Sequence, residues 1–545
     1  MKNPTRNFGL RSLAVLAVCI LAGTPLAAAE RTSRPNILFI SLDDFGPYLK
    51  AYGRDQVIAP NMDRLARQGT VFERAYCQMA ICSPSRSSLM TGLRPDSTGV
   101  FNLATHFRAK VPDVVTLPQH FKNNGYHTQA VGKNFHPAFA FHTDVDGQQN
   151  LDDPPSWSAP LWLPSPPRYY HTPEGIEDAK KVFARTRMRA SETPEDWYKY
   201  VVRGFAVEAP DVPDETLYDG QVTERAIGVM RELAAAQKSA PPGEMQPFFL
   251  GVGFLKPHYP FVAPKRYWDL YNREDFAVAE NNFPPHGIPP IALQVHWNEA
   301  RAQSDVPNVD SILPEQQREM KHGYYACISY VDALVGRLVA ELERLGLREN
   351  TIIILWGDHG FSLGENSMWG KLTNLERSTH SPLMVVMPDG RFAGQRTRAL
   401  VEFVDIYPSL CDLAGLPLPD HLEGTSFMPL LENPDRAWKT AAFSQYLRPG
   451  FSSYRTHPLA INTPESFRTY PKTGTMGYSM RTDRYRFGLW ISVADPDEIL
   501  GVELYDHVTD PAENVNIATR PENAELVAGL TQRLRRGWRG ELPPG

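Results

Sequence analysis

The chain has 545 residues, 42% hydrophobic and 22% charged, with a formal net charge of −6. It is too long for one simple core, and its composition is that of a soluble globular protein rather than a disordered one. The mild acidic excess argues against nonspecific nucleic-acid binding, but it allows a polyanionic substrate in a local basic pocket.

The N-terminus reads as a secretory signal over residues 1–29. Lys2, Arg6 and Arg11 supply the positive region, Leu13 to Leu21 the apolar core, and Ala27-Ala28-Ala29 the cleavage site. The apolar run is too short for a stable membrane span, and Val18 before Cys19 is poor for lipidation. The expected location is periplasmic or secreted. Four cysteines follow the leader, Cys77, Cys82, Cys327 and Cys411, too few for a disulfide scaffold.

The run from Asn36 to Leu42 is apolar and predicts a buried parallel strand, with Asp43 and Asp44 at its carboxyl end. Asn61 to Gln68 predicts a short helix capped by Asn61 and stopped by Gly69. Cys82-Ser83-Pro84-Ser85-Arg86 predicts a helix start, with Ser83 as cap, Pro84 in the first position and Gly92 as the stop. Leu117 to Asn124 reads as a helix. Tyr126 to Val131 reads as a strand leading into Gly132-Lys133-Asn134-Phe135-His136. Residues 137–209 and 275–313, rich in proline and weakly periodic, read as long loops, and together with residues 446–475 they are expected to form the pocket wall.

Thr216 to Gln237 predicts a helix, and Phe248 to Phe254 a buried strand running into Lys256-Pro257-His258. Val331, Leu334, Val335, Leu338, Val339 and Leu342 fall on one helical face, so the helix is expected over Val331 to Leu345. Thr351 to Trp356 is a strand ending in Gly357-Asp358-His359-Gly360, and Leu383 to Met387 is another. Past Asn433 short strands are expected at Thr440 to Tyr446, Met476 to Thr482, Tyr485 to Trp490 and Glu503 to Asp506, then a helix from Glu522 to Arg536. This order predicts an α/β domain over 30–435, with a mostly parallel sheet covered by helices. A small C-terminal α+β domain with an antiparallel sheet is expected over 436–545.

The chemistry-bearing residues gather at strand ends, where open α/β sheets place ligands. Asp43, Asp44 and Asp358 repel one another unless a cation holds them, and their oxygens suit calcium or magnesium. His359 is either a weak ligand or a contact to a substrate oxygen. Lys133, His136, His258 and Lys371 would neutralise an anionic ester and supply a proton donor. Cys82 at a helix start, with Arg86 one turn on, reads as an anion site with a reactive cysteine.

Taken in order, the Asp43-Asp44 strand end, Cys-x-Pro-x-Arg at Cys82, Gly132-Lys133 with His136, Lys256-Pro257-His258, and Gly357-Asp358-His359-Gly360 with Lys371 resemble the sulfatase family. Val131 to Pro137, Lys256 to Phe261, Tyr324 to Asp332 and Met476 to Thr482 look closer still to its iduronate-2-sulfatase branch. The resemblance implies an alkaline-phosphatase-like fold and hydrolysis of a sulfated sugar or polysaccharide. It implies one calcium ion on Asp43, Asp44, Asp358, His359 and a modified Cys82. It also implies that a formylglycine-generating or anaerobic maturation enzyme converts Cys82 to formylglycine, whose hydrate attacks sulfur while Arg86 stabilises it. Lys133, His258 and Lys371 would contact the sulfate, His258 or Lys371 would protonate the leaving alcohol, and His136 would take a proton from the diol. The alternative is a phosphate or phosphonate ester hydrolase of the same superfold.

Overall fold

In a computed structural model, residues 34–544 are described except 104, 137–151, 165–167, 187, 189–191, 200–201, 242, 293–298, 307–311 and 449–473. The leader, Cys19 and part of the expected pocket wall therefore lie outside the described residues.

Seven strands form the main sheet. They are β1 (Asn36–Leu42), β2 (Thr70–Phe72), β3 (His127–Gly132), β4 (Phe248–Gly253), β5 (Thr351–Gly357), β6 (Leu383–Val386) and β7 (Gln395–Thr397). Their order is β7-β2-β6-β5-β1-β4-β3, and only β6 runs antiparallel to its neighbours. Both faces are covered, so the central strands are apolar throughout. Along β1, Leu38, Ile40 and Leu42 enter one core, while Ile37 and Phe39 enter the other. β5 divides likewise, with Ile353 and Leu355 against Ile352, Ile354 and Trp356.

The helices are α1 (Pro60–Gln68), α2 (Cys82–Thr91), α3 (Leu117–Asn123), α4 (Pro173–Thr186), α5 (Tyr218–Ser239), α6 (Pro314–Arg344), α7 (Ile406–Leu413) and α8 (Ala524–Arg536), with shorter turns between them. Residues of α1, α5 and α6 line the first core; those of α2, α3 and α7 line the second. A second sheet, β8 (Ala441–Arg448), β9 (Thr475–Thr482), β10 (Tyr485–Ser492) and β11 (Ile499–Asp506), is an antiparallel meander. Leu530 and Leu534 of α8 pack on it beside Met480, Phe487 and Leu504. It is tied to the main body through Asn374, whose Nδ2 donates to Gly477 O and whose carbonyl accepts from Arg486 Nη1, at 2.9 and 2.7 Å.

Several expectations are corrected. α2 begins at Cys82, because Ser85 N–H bonds Ile81 O at 3.0 Å; Ser83 lies inside the helix and does not cap it. α1 begins at Pro60, and Asn61 donates from its side chain to Asp332 instead of capping. α6 starts at Pro314, well before Val331, and α4 lies in a stretch read as loop. β2 and β7, three residues each, were not anticipated.

Candidate active site

Strand ends deliver the site. β1 hands Asp43 and Asp44 to the rim, and β5 hands on Asp358 and His359; all four are buried. Asp44 sits at φ 60°, a left-handed turn held from both sides by Tyr324 of α6. The Tyr324 hydroxyl donates to Asp44 O at 2.7 Å and accepts from Gly46 N at 2.9 Å. Asp44 N–H also donates to Asp358 Oδ1 at 3.1 Å. At the end of β3, Gly132 has φ 74°, and a Cβ there would meet Gly253 O, so glycine is required for the turn that brings Lys133 inward.

Cys82 is the first residue of α2, at the positive end of its dipole. One ligand atom each of Asp43, Cys82, Asp358 and His359 lies within 4.8 Å of the others, and so do those of Asp43, Asp44, Cys82 and His258. His359 Nδ1 is 2.9 Å from Gly360 O. A carbonyl only accepts, so Nδ1 carries the proton and the Nε2 lone pair faces the cluster. Nε2 lies 3.5 Å from Cys82 Sγ, 3.4 Å from Asp44 Oδ1 and 3.5 Å from Asp358 Oδ1.

The donor set fits a hard cation. Asp43 Oδ1 and Asp44 Oδ2 are buried without a hydrogen-bond partner, which is costly unless a cation takes them up. Burial, reinforced by Glu299, Asp43 and Asp358 and only partly offset by Lys371, pushes the Asp44 carboxyl well above the carboxylate range. Burial would raise Asp43 too, but the charges of Lys133 and Arg86 hold it well below. Another acidic group, Glu376 and Glu513 with His507, is neutralised by Arg481 and Arg486 and reads as structural.

Around this cluster stand the cations. Arg86 is fully buried; its Nε donates to Asp358 Oδ2 at 2.9 Å and its Nη1 to Lys133 O and Asn134 O at 2.5 and 3.0 Å. It thus braces one carboxylate and the Lys133 loop, with Nη2 3.8 Å from Asp43 Oδ1. Lys133 Nζ donates to Asp43 Oδ2. Lys371 Nζ donates to Asp44 Oδ1 at 2.5 Å and pairs with Glu299. Burial opposes the charge on both lysines, but Asp43 keeps Lys133 raised, and Asp44 with Glu299 keeps Lys371 well raised.

Burial, then Lys371, drives His258 well below its usual range, so it is neutral. Its Nδ1 is 2.6 Å from Tyr259 O, which leaves Nε2 unprotonated. Asp219 of α5 accepts from the N–H groups of Leu255 and Lys256, both at 2.8 Å, and so fixes the loop that carries His258. His136 follows on the Lys133 loop and is half-buried. Burial and then Asp43 push the Cys82 thiol well up, so an unaltered thiol there is a poor nucleophile.

The structure thus gathers nine of the ten predicted site residues around one point; His136 is half-buried and follows Lys133 by three residues. Sequence reasoning missed Asp219 and Glu299, which carry no motif, and gave no site role to Tyr324, although it opens the Tyr324 to Asp332 stretch; all three act from remote elements.

Residues 35–416 match the sulfatase family model, more than half the chain. The chain belongs to the sulfatase family. Residues 364–539 match the C-terminal region of N-sulphoglucosamine sulphohydrolase. Human iduronate 2-sulfatase is 33% identical to this sulfatase, over 96% of this chain and 99% of the human one. Choline-sulfatase of Rhizobium meliloti is 29% identical over 92% and 85%. The phosphonate monoester hydrolase of Agrobacterium radiobacter has the same fold, with a TM-score of 0.69 at 24% identity, covering 92% of this chain and 95% of its own. The architecture is that of the alkaline-phosphatase-like sulfatases, with the antiparallel C-terminal sheet appended. No helix among the described residues is long and apolar enough to cross a membrane.

Proposed function

We propose that this sulfatase cleaves the sulfate ester of a sulfated sugar, with Cys82 converted to formylglycine and one calcium ion held by Asp43, Asp44, Asp358, His359 and residue 82. The observation that carries this reading is the closure of Asp43, Asp358 and His359 on Cys82 Sγ, ringed by the buried cations of Lys133, Lys371 and Arg86. In that reading Sγ marks the position of the formylglycine hydroxyls.

Formylglycine supplies a hydrated aldehyde as nucleophile, and calcium supplies charge that offsets the carboxylates and draws on the ester's oxygens. The other groups belong to the chain. Lys133 and Lys371 stay charged and face the non-bridging sulfate oxygens. Arg86 holds Asp358 and the Lys133 loop in register and stabilises the hydrate. His258 in its Nδ1–H tautomer has no proton at Nε2, so Lys371 gives the proton to the leaving alcohol and His258 Nε2 accepts from a substrate hydroxyl. His136 would serve as the base toward the hydrated group at residue 82, whose aldehyde chemistry would let sulfate depart.

The likeness to iduronate 2-sulfatase over nearly the whole chain supports a uronate 2-sulfate as the sugar. A maturation enzyme is the implied partner. Residues 1–29 would direct the protein to the periplasm or outside the cell, where sulfated polysaccharide is met. The test compares fluorogenic sulfate and phosphate esters, then defined sulfated mono- and disaccharides, with calcium or with a chelator. Calcium-dependent cleavage of sulfate esters, lost in Cys82→Ala, is expected. Preference for phosphate, or a Cys82→Ala variant with near-normal turnover, overturns the reading.

A further inference from the structure

Lys371 is held by two carboxylates. Its Nζ bonds Asp44 Oδ1 at 2.5 Å and lies 2.9 Å from Glu299 Oε2. The second approach is too oblique for a hydrogen bond, so charge holds the pair. All three side chains are buried. Glu299 begins a short 3-10 turn, Glu299–Ala302, which packs beside the Trp369–Gly370 strand immediately before Lys371. The two partners of Lys371 are not equivalent. Asp44 belongs to the proposed cation site, and a divalent ion there takes up its charge. Glu299 is in neither proposed metal group. Once Asp44 serves the cation, Glu299 is the anion left to fix the ammonium.

We propose that Glu299 is a positioning residue for Lys371: its carboxylate holds the ammonium beside the ester's departing oxygen while Asp44 holds the cation. This rests on the sulfate-ester reading above. The carboxylate touches no reacting atom and acts only through Lys371. Removing its charge leaves the ammonium leaning toward Asp44, away from the ester.

The experiment is a double-mutant cycle on the full, calcium-loaded enzyme, using wild type, Glu299→Gln, Lys371→Met and the double variant. One readout is kcat and KM on 4-methylumbelliferyl sulfate; the other is thermal unfolding with and without calcium. Misplacing Lys371 by about 1 Å predicts a fall in kcat of about 10²-fold in Glu299→Gln, with KM little changed. The double variant should be no slower than Lys371→Met, because the two act as one unit. Glu299→Asp, which keeps the charge, should recover part of the rate. In unfolding, the two substitutions should be coupled rather than additive.

Glu299→Gln within about twofold of wild-type kcat, or a loss that adds in full to that of Lys371→Met, overturns the proposal. A wild type that cleaves no sulfate ester refutes the sulfate-ester reading instead. The unfolding cycle then judges the pair alone: coupled melting temperatures support the clamp, and additive ones overturn it.

Discussion

Tyr324→Phe isolates what holds the Asp44 turn. The ring should stay, because it stacks on Phe361 and meets Tyr48 and Phe261 edge-on, each centroid 5.4 Å away. Only the hydroxyl goes, and with it the partner of Asp44 O and of Gly46 N. Leaving a buried backbone group unpaired costs about 1–3 kcal/mol. Two such groups predict a loss of about 2–6 kcal/mol, reduced where one finds another partner. Asp44 at φ 60° also loses the bond that keeps its backbone in an uncommon region. Calcium affinity should therefore fall along with stability. The assay is thermal and urea unfolding of both proteins, with calcium titrated into each. A lower melting temperature and a weaker calcium response are expected. Equal melting and equal calcium affinity would refute the idea that this hydroxyl fixes the turn.

Arg86→Lys should nearly abolish turnover and destabilise the fold, since a lysine cannot reach Asp358, Lys133 O and Asn134 O together. Steady-state kinetics and unfolding measure the two losses. A second test concerns acid stability. Burial would raise Glu402, but Arg94 and then Lys439 bring it down from 4.5 to about 2. A lowered carboxyl stabilises the fold fully above its unfolded value of 4.5, and that contribution is lost as pH falls through about 2. Urea unfolding at descending pH should show the wild type losing stability below about pH 4.5, with a shallower slope in Glu402→Gln. The same slope in both would sink the assignment.

Much of the site was legible because buried parallel strands read as apolar runs that end abruptly in polar residues. Asp43, Asp44, Asp358 and His359 stand at two such ends. The Cys82 motif was equally visible, although the helix begins one residue before the expected cap because backbone bonding from Ser85 sets its start. The first half of α6 was not legible. Glu315, Gln316, Arg318, Lys321 and Gly323 break its apolar stripe. Gly323 is there because a Cβ would meet the Trp268 ring at 2.8 Å, a tertiary reason with no local trace. β2 and β7 are too short for periodicity and exist through pairing alone. Glu299 and Tyr324 reach the site from segments remote in sequence from Lys371 and Asp44.

The central claim is that residue 82 acts as formylglycine, and peptide mass spectrometry of catalytically active enzyme tests it directly. The Cys82 peptide should be lighter than its unmodified mass by roughly 18 Da, the difference between a thiol side chain and an aldehyde. Fully active enzyme in which that peptide carries only the unmodified thiol would contradict the account.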